Sequence, residues 1–90
     1  MAHIICEVTE GLRPSEATVA VRDYAGRTEY LPVDRGMLAR ANGKHLLPVR
    51  VLYQDEIKNA AFIQLPDEAD SGTTRLWVRL ADLQSPEAAA

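Results

Sequence analysis

Lys44-His45-Leu46-Leu47-Pro48-Val49-Arg50-Val51-Leu52-Tyr53 is the longest stretch of the chain that keeps a period of two, and its reading decides the fold class. Successive side chains of a strand point to opposite faces, so Leu47, Val49, Val51 and Tyr53 fall on one side of it. The same alternation recurs outward in both directions. Upstream, Ile4, Cys6 and Val8 share a face, as do Ala17, Val19 and Val21, and Leu31 with Val33. Downstream, Ala61, Ile63 and Leu65 mark one strand, and Leu76, Val78 and Leu80 the last.

The segments between these runs carry turn chemistry. Gly11, Pro14 and Ser15 mark a loop, and Asp23-Tyr24-Ala25-Gly26 reads as a hairpin turn whose glycine takes positive φ. Asn42-Gly43 is a tight-turn signal, Asp55-Glu56 a turn, and Pro66 to Gly72 an acidic loop. Asp34 to Asn42 is the one stretch that suits a helix, and its length and Gly36 limit it to a turn or two, or to a 3₁₀ turn. Prolines interrupt two strands, at Leu31-Pro32-Val33 and Leu47-Pro48-Val49. Lacking a ladder donor, each is expected at an edge or a bulge. Six short strands with turns between them predict an all-β barrel or sandwich, with residues 1–84 as one domain and 85–90 as a flexible C-terminal tail. A faint internal echo accompanies this pattern: Val33 precedes Leu38, and Val78 precedes Leu83, by the same interval after a strand.

Val19-Ala20-Val21-Arg22-Asp23-Tyr24-Ala25-Gly26-Arg27 runs a strand into a glycine turn, and Leu76-Trp77-Val78 closes with a short turn to Leu83. In this arrangement the chain resembles the SH3-like small barrels and, at one remove, the PRC-barrel domains. The resemblance implies a barrel of five or six short antiparallel strands and an adaptor-like role. It does not imply binding of proline-rich peptides, because the aromatic pair of peptide-binding SH3 domains is missing from the first loop.

Composition sets outer bounds. Ninety residues with 47% hydrophobic and 26% charged side chains suit one globular domain. No apolar run reaches the roughly 18 residues of a membrane-spanning helix, and the first residues lack the basic start and cleavage site of a secretory signal. One cysteine can form no internal disulfide, which points to a reducing, cytoplasmic setting. The net charge of −3 divides unevenly, residues 13–50 carrying seven cations against four acids. That excess falls short of a dedicated nucleic-acid binder.

Catalytic and metal-binding patterns are missing. Cys6 lies between Ile4 and Val8 on an apolar face and is expected in the core. His3 and His45 stand apart and are expected to face solvent, which leaves no ligand set for a metal. Asp67, Glu68 and Asp70 lack the spacing of a calcium loop and read as a solvated turn. The serines have no nucleophile-elbow context and the glycines form no phosphate loop, so no enzyme activity and no cofactor are expected.

One local pattern points to binding. With Leu76 and Val78 turned inward, Arg75, Trp77 and Arg79 line the opposite face of the last strand, and Phe62 extends whichever surface Trp77 belongs to. Trp and Arg are the side chains that dominate interface hot spots. The expected function is therefore a protein-interaction or regulatory module centred on Trp77, Arg75, Arg79 and Phe62. A barrel that binds RNA or single-stranded nucleic acid by stacking on Trp77 is the alternative. A homo-oligomer subunit that buries Ile5, Leu46 and Leu52 as outer residues is a third.

Overall fold

A computed structural model describes residues 2–84, so the expected tail at 85–90 lies outside the described residues. Eight strands form a single curled antiparallel sheet: β1 (Ala2–Glu10), β2 (Glu16–Arg22), β3 (Thr28–Asp34), β4 (Ala39–Ala41), β5 (Lys44–Asp55), β6 (Ala60–Gln64), β7 (Arg75–Arg79) and β8 (Leu83–Gln84). The only helical pieces among the described residues are two 3₁₀ turns, Arg35–Met37 and Leu80–Asp82. None is long and apolar enough to cross a membrane. The all-β expectation holds, and the helix-like stretch is a 3₁₀ turn capped by the Asp34 carboxylate, which accepts the Gly36 N–H at 2.9 Å.

The main path of the sheet is β3-β2-β1-β5-β6-β7, with β4 added to β5 and β8 to β1. The two long strands hold the curl together. β1 pairs with β5 through Ala2–Cys6 and with β2 through Glu7–Glu10, so it belongs to two segments of the sheet. β5 does the same, pairing β1 and β4 by its first half and β6 by its second. The concave side collects Ile4, Cys6, Val19, Val21, Leu31, Val33, Leu47, Val49, Ile63, Leu76 and Val78, all buried, together with the small Ala17 and Ala61. Val51 and Leu80, expected in the inner layer, are only partly buried against it.

Pro32 lies on β3, the outer strand of the path, as the missing donor requires. Pro48 sits where the pairing of β4 has ended, at Leu46, and that of β6 has not begun, at Arg50, so no strand on that side wants its bond.

Three expectations need correction. Tyr53 does not join Leu47, Val49 and Val51, because the β5–β6 register shifts between Val51 and Tyr53. Val51 pairs Ile63 and Tyr53 pairs Phe62, which leaves Leu52 as the extra residue of a bulge and turns Tyr53 to the convex face. Leu46 is not an outer residue: flanked by Ile5 of β1 and Ala39 of β4, it is fully buried within its own chain. The homo-oligomer reading thereby loses one of its three residues. Nor do the histidines face solvent; His3 and His45 are both half-buried, and Nδ1 of His3 is shielded with no hydrogen-bond partner.

The internal echo extends over the described residues. The series β1-β2-β3-3₁₀-β4 is followed by β5-β6-β7-3₁₀-β8. Equivalent core positions match in kind: Ile4 with Leu47, Cys6 with Val49, Ala17 with Ala61, Val19 with Ile63, Leu31 with Leu76, Val33 with Val78 and Leu38 with Leu83. The entry to each 3₁₀ turn is tied alike, Arg35 N–H to the Ser15 carbonyl and Leu80 N–H to the Asn59 carbonyl, both at 2.9 Å. Each half lends its last short strand to the other, β4 to β5 and β8 to β1.

Candidate functional site

The bulge at Leu52 decides what the convex face of β5, β6 and β7 presents. Beyond it, Tyr53, Phe62 and Trp77 stand in one row across the three strands. Arg50, Gln64 and Arg75 form the row on one side, and Asp55, Ala60 and Arg79 the row on the other. The Trp77 ring lies 5.2 Å from Phe62 at a tilt and 6.0 Å from Tyr53 edge-on, so the three rings form one cluster. Such pairs hold one another in place at these separations. The cluster stays open to solvent, with Trp77 40% and Tyr53 60% exposed and Phe62 half-buried beneath them.

The four residues singled out from sequence therefore share one face. Trp77 and Phe62 touch, while Arg75 and Arg79 flank Trp77 along β7. Tyr53 was missed, because strict alternation assigns it to the core. The bulge that overturns this leaves no glycine or proline signal at Leu52.

The β2–β3 hairpin supplies a second wall. Asp23 holds its tip by accepting the Arg27 N–H at 2.8 Å, and the Arg27 side chain returns to its carboxylate at 3.5 Å. Gly26 takes φ +90 in that turn, a conformation costly for any other residue. The tip then bends onto the second half of the chain. The Tyr24 N–H donates to the Trp77 carbonyl at 2.7 Å, and its hydroxyl donates to the Lys58 carbonyl at 2.9 Å. Between tip and sheet runs an open cleft of about 660 Å³, lined by Tyr24, Arg27, Glu29, Phe62, Arg75 and Trp77 among others.

The acidic loop has a structural task at the opposite edge. The Asp70 N–H donates to the Tyr30 carbonyl at 2.7 Å and the Ser71 hydroxyl to the Glu29 carboxylate at 2.6 Å, while Ala69 is buried in the core cluster. Its carboxyl residues Asp67, Glu68 and Asp70 are exposed. Each outer strand is thus braced by a loop of the other half: β7 by Tyr24 and β3 by Asp70.

Cys6 is buried as expected, and burial pushes its thiol up from 9.0 to about 11. At neutral pH it is a protonated apolar side chain rather than a nucleophile. Among the described residues no three His, Cys, Asp or Glu side chains gather as a metal-binding group. No family model matches this sequence, and no curated protein or solved structure shows a significant match to it.

Proposed function

We propose that this chain is a non-catalytic protein-interaction module of the cytoplasm that offers the convex face of β5, β6 and β7 to a protein partner. One observation carries the reading: Tyr53, Phe62 and Trp77 stack in a single cross-strand row at the surface, with Arg75 and Arg79 on either side of the tryptophan. Aromatic rings with guanidinium neighbours are the usual anchors of an interface, since they add large apolar area with few torsions to freeze. We also assign the scaffold to the SH3-like small barrels. The curled antiparallel sheet and the 3₁₀ turn ahead of the last short strand support that assignment.

The test is affinity capture from lysate, with and without nuclease, using wild type and Trp77→Ala, followed by a titration of the captured partner. A protein retained after nuclease, whose affinity falls about 30-fold or more in Trp77→Ala, supports the reading (the size of a hot-spot residue). Capture that vanishes with nuclease, or an unchanged affinity in a folded Trp77→Ala protein, overturns it.

A further inference from the structure

The edge of β7 beside the aromatic row carries backbone groups with nothing to bind. Leu65 donates to the Thr74 carbonyl at 2.8 Å and Leu80 to the Asn59 carbonyl at 2.9 Å, and these bonds bracket the β6–β7 ladder. Bonding alternates along an antiparallel pair, so Leu76 and Val78 turn their backbone groups to β6 and Arg75, Trp77 and Arg79 turn theirs outward. The Tyr24 N–H on the Trp77 carbonyl fixes the same phase. Among the described residues, the Arg75 N–H and carbonyl and the Trp77 N–H have no partner, and the cleft opens beside them.

We propose that this cleft receives a short, acidic, extended peptide that adds to the edge of β7 as a further strand between Thr73 and Trp77, its central apolar side chain opposite Arg75 and within diagonal reach of the Trp77 ring. The inference rests on the reading of this face as a protein-binding surface, and narrows the partner to a strand-forming one. From Thr73 to Trp77 is four steps of roughly 3.3 Å, about 13 Å, which suits four or five extended residues.

The other outer strand shows what a protected edge looks like in this fold. On β3, Pro32 occupies the position equivalent to Trp77, and the neighbouring Tyr30 carbonyl is taken by Asp70. Proline and covering loops are how proteins keep edges from accepting strands. β7 has a covering contact at one carbonyl only, and no proline.

Charge selects an acidic ligand. The cleft's acids Asp23, Glu29 and Asp55 are balanced by Arg27, Lys58 and Arg75, so the selection comes from β7 itself, whose charged side chains are Arg75 and Arg79. Arg50, Lys58, Arg75 and Arg79 make no ion pair among the described residues. A second copy of this chain is a poor occupant, because antiparallel pairing of two β7 edges centred on Trp77 would set Arg75 of each against Arg79 of the other.

The probe is the fluorescein-labelled, end-capped pentapeptide Glu-Val-Phe-Val-Glu, titrated into the full chain beside Lys-Val-Phe-Val-Lys. Two further versions carry N-methyl groups, one on both valines and the other on Glu, Phe and Glu. Strand addition uses the amides of alternate residues only, so one N-methylated version should lose at least about 10-fold in affinity and the other should keep it. The lysine peptide should not bind, and amide exchange at Arg75 and Trp77 should slow with the acidic peptide. Arg75→Pro, which removes the outward N–H, should bind more weakly than Arg75→Gln, which removes the charge alone. Equal binding of both N-methylated versions, equal binding of the lysine peptide, or no binding at about 1 mM overturns the proposal. If the peptide binds in a Trp77-dependent way but neither N-methylated version is weakened, strand addition fails while the aromatic face stands. If the peptide does not bind, the partner titration with Trp77→Ala judges the face separately.

Discussion

At the scale of single residues, the two half-chains explain what Cys6 and His3 are doing. Val49 fills the place equivalent to Cys6, so the thiol is there as volume. Below pH 9 it is protonated in both folded and unfolded chains and favours neither. As pH rises from 9.0 towards about 11 the unfolded chain releases its proton while the folded chain keeps it, so stability falls across that window. Cys6→Val should fold, and urea melts at pH 8 and pH 10.5 should show a smaller alkaline loss in the variant than in wild type. A loss of the same size in both would place the alkaline weakness elsewhere. His3 occupies the place that Leu46 fills on β5, and its shielded Nδ1 makes no bond. A buried polar atom without a partner costs about 1–3 kcal/mol. His3→Leu should therefore raise stability by about 1 kcal/mol, visible as a Tm higher by roughly 4–8 °C. A lower Tm would mean that His3 finds a partner in solution.

Elements were legible where local chemistry fixed them and hidden where only tertiary pairing did. Alternation located the long strands because one face of each is buried, and Asn42-Gly43 announced the β4–β5 turn, where both residues take positive φ, +54 and +77. Gly43→Ala should cost about 1–2 kcal/mol, since a Cβ in the left-handed region is strained although nothing crowds it there. A chemical melt checks this, and an unchanged midpoint would show that the turn relaxes freely. The Leu52 bulge was not legible: Val51-Leu52-Tyr53 is a run of three apolar side chains, and nothing in it marks which one is the extra residue. The fate of Leu46 was hidden for a related reason, since alternation says which residues oppose Leu47 but not that β1 and β4 will flank both sides. The same limit applied to the site. Arg75, Trp77 and Arg79 lie on one strand and could be placed together from spacing alone, whereas Tyr53 joins them only through the bulge. Deleting Leu52 should remove the bulge and leave a regular register in which Val51 still faces Ile63 and Tyr53 still faces Phe62, so Tyr53 should stay on the convex face. The Trp77 fluorescence should then keep the signature of its Tyr53 neighbour, and a clear change in it would show that the bulge itself sets the Tyr53–Trp77 contact.

For the whole molecule, exchange of short strands makes each half incomplete without the other. β4 completes the segment around β5, β8 completes the one around β1, and the bracing loops at Tyr24 and Asp70 cross between halves in the same sense. The link between β4 and β5 is a two-residue turn of Asn42 and Gly43. Its counterpart between β8 and β1 joins no consecutive residues, yet His3 and Gln84 are direct cross-strand partners, as Ala39 and Leu46 are in the first case. The symmetry therefore specifies a circular permutant. Joining Gln84 to Ala2 through Arg-Ala-Asn-Gly-Lys, the sequence that follows Ala39, and opening the chain between Asn42 and Gly43 should reproduce the same curled sheet. Exposed turn tips are where such permutations are tolerated, and both Asn42 and Gly43 are exposed. The expected result is a folded monomer with the amide spectrum of the parent away from the two junctions and a Tm within about 8 °C of it, equivalent to roughly 1 kcal/mol or a little more. If the strand exchange were incidental, with each half folding on its own, residues 2–42 and 43–84 would be folded as separate peptides and gain nothing on mixing. Interdependent halves predict the reverse: each fragment unstructured alone, and the parent spectrum recovered when the two are combined in equal amounts.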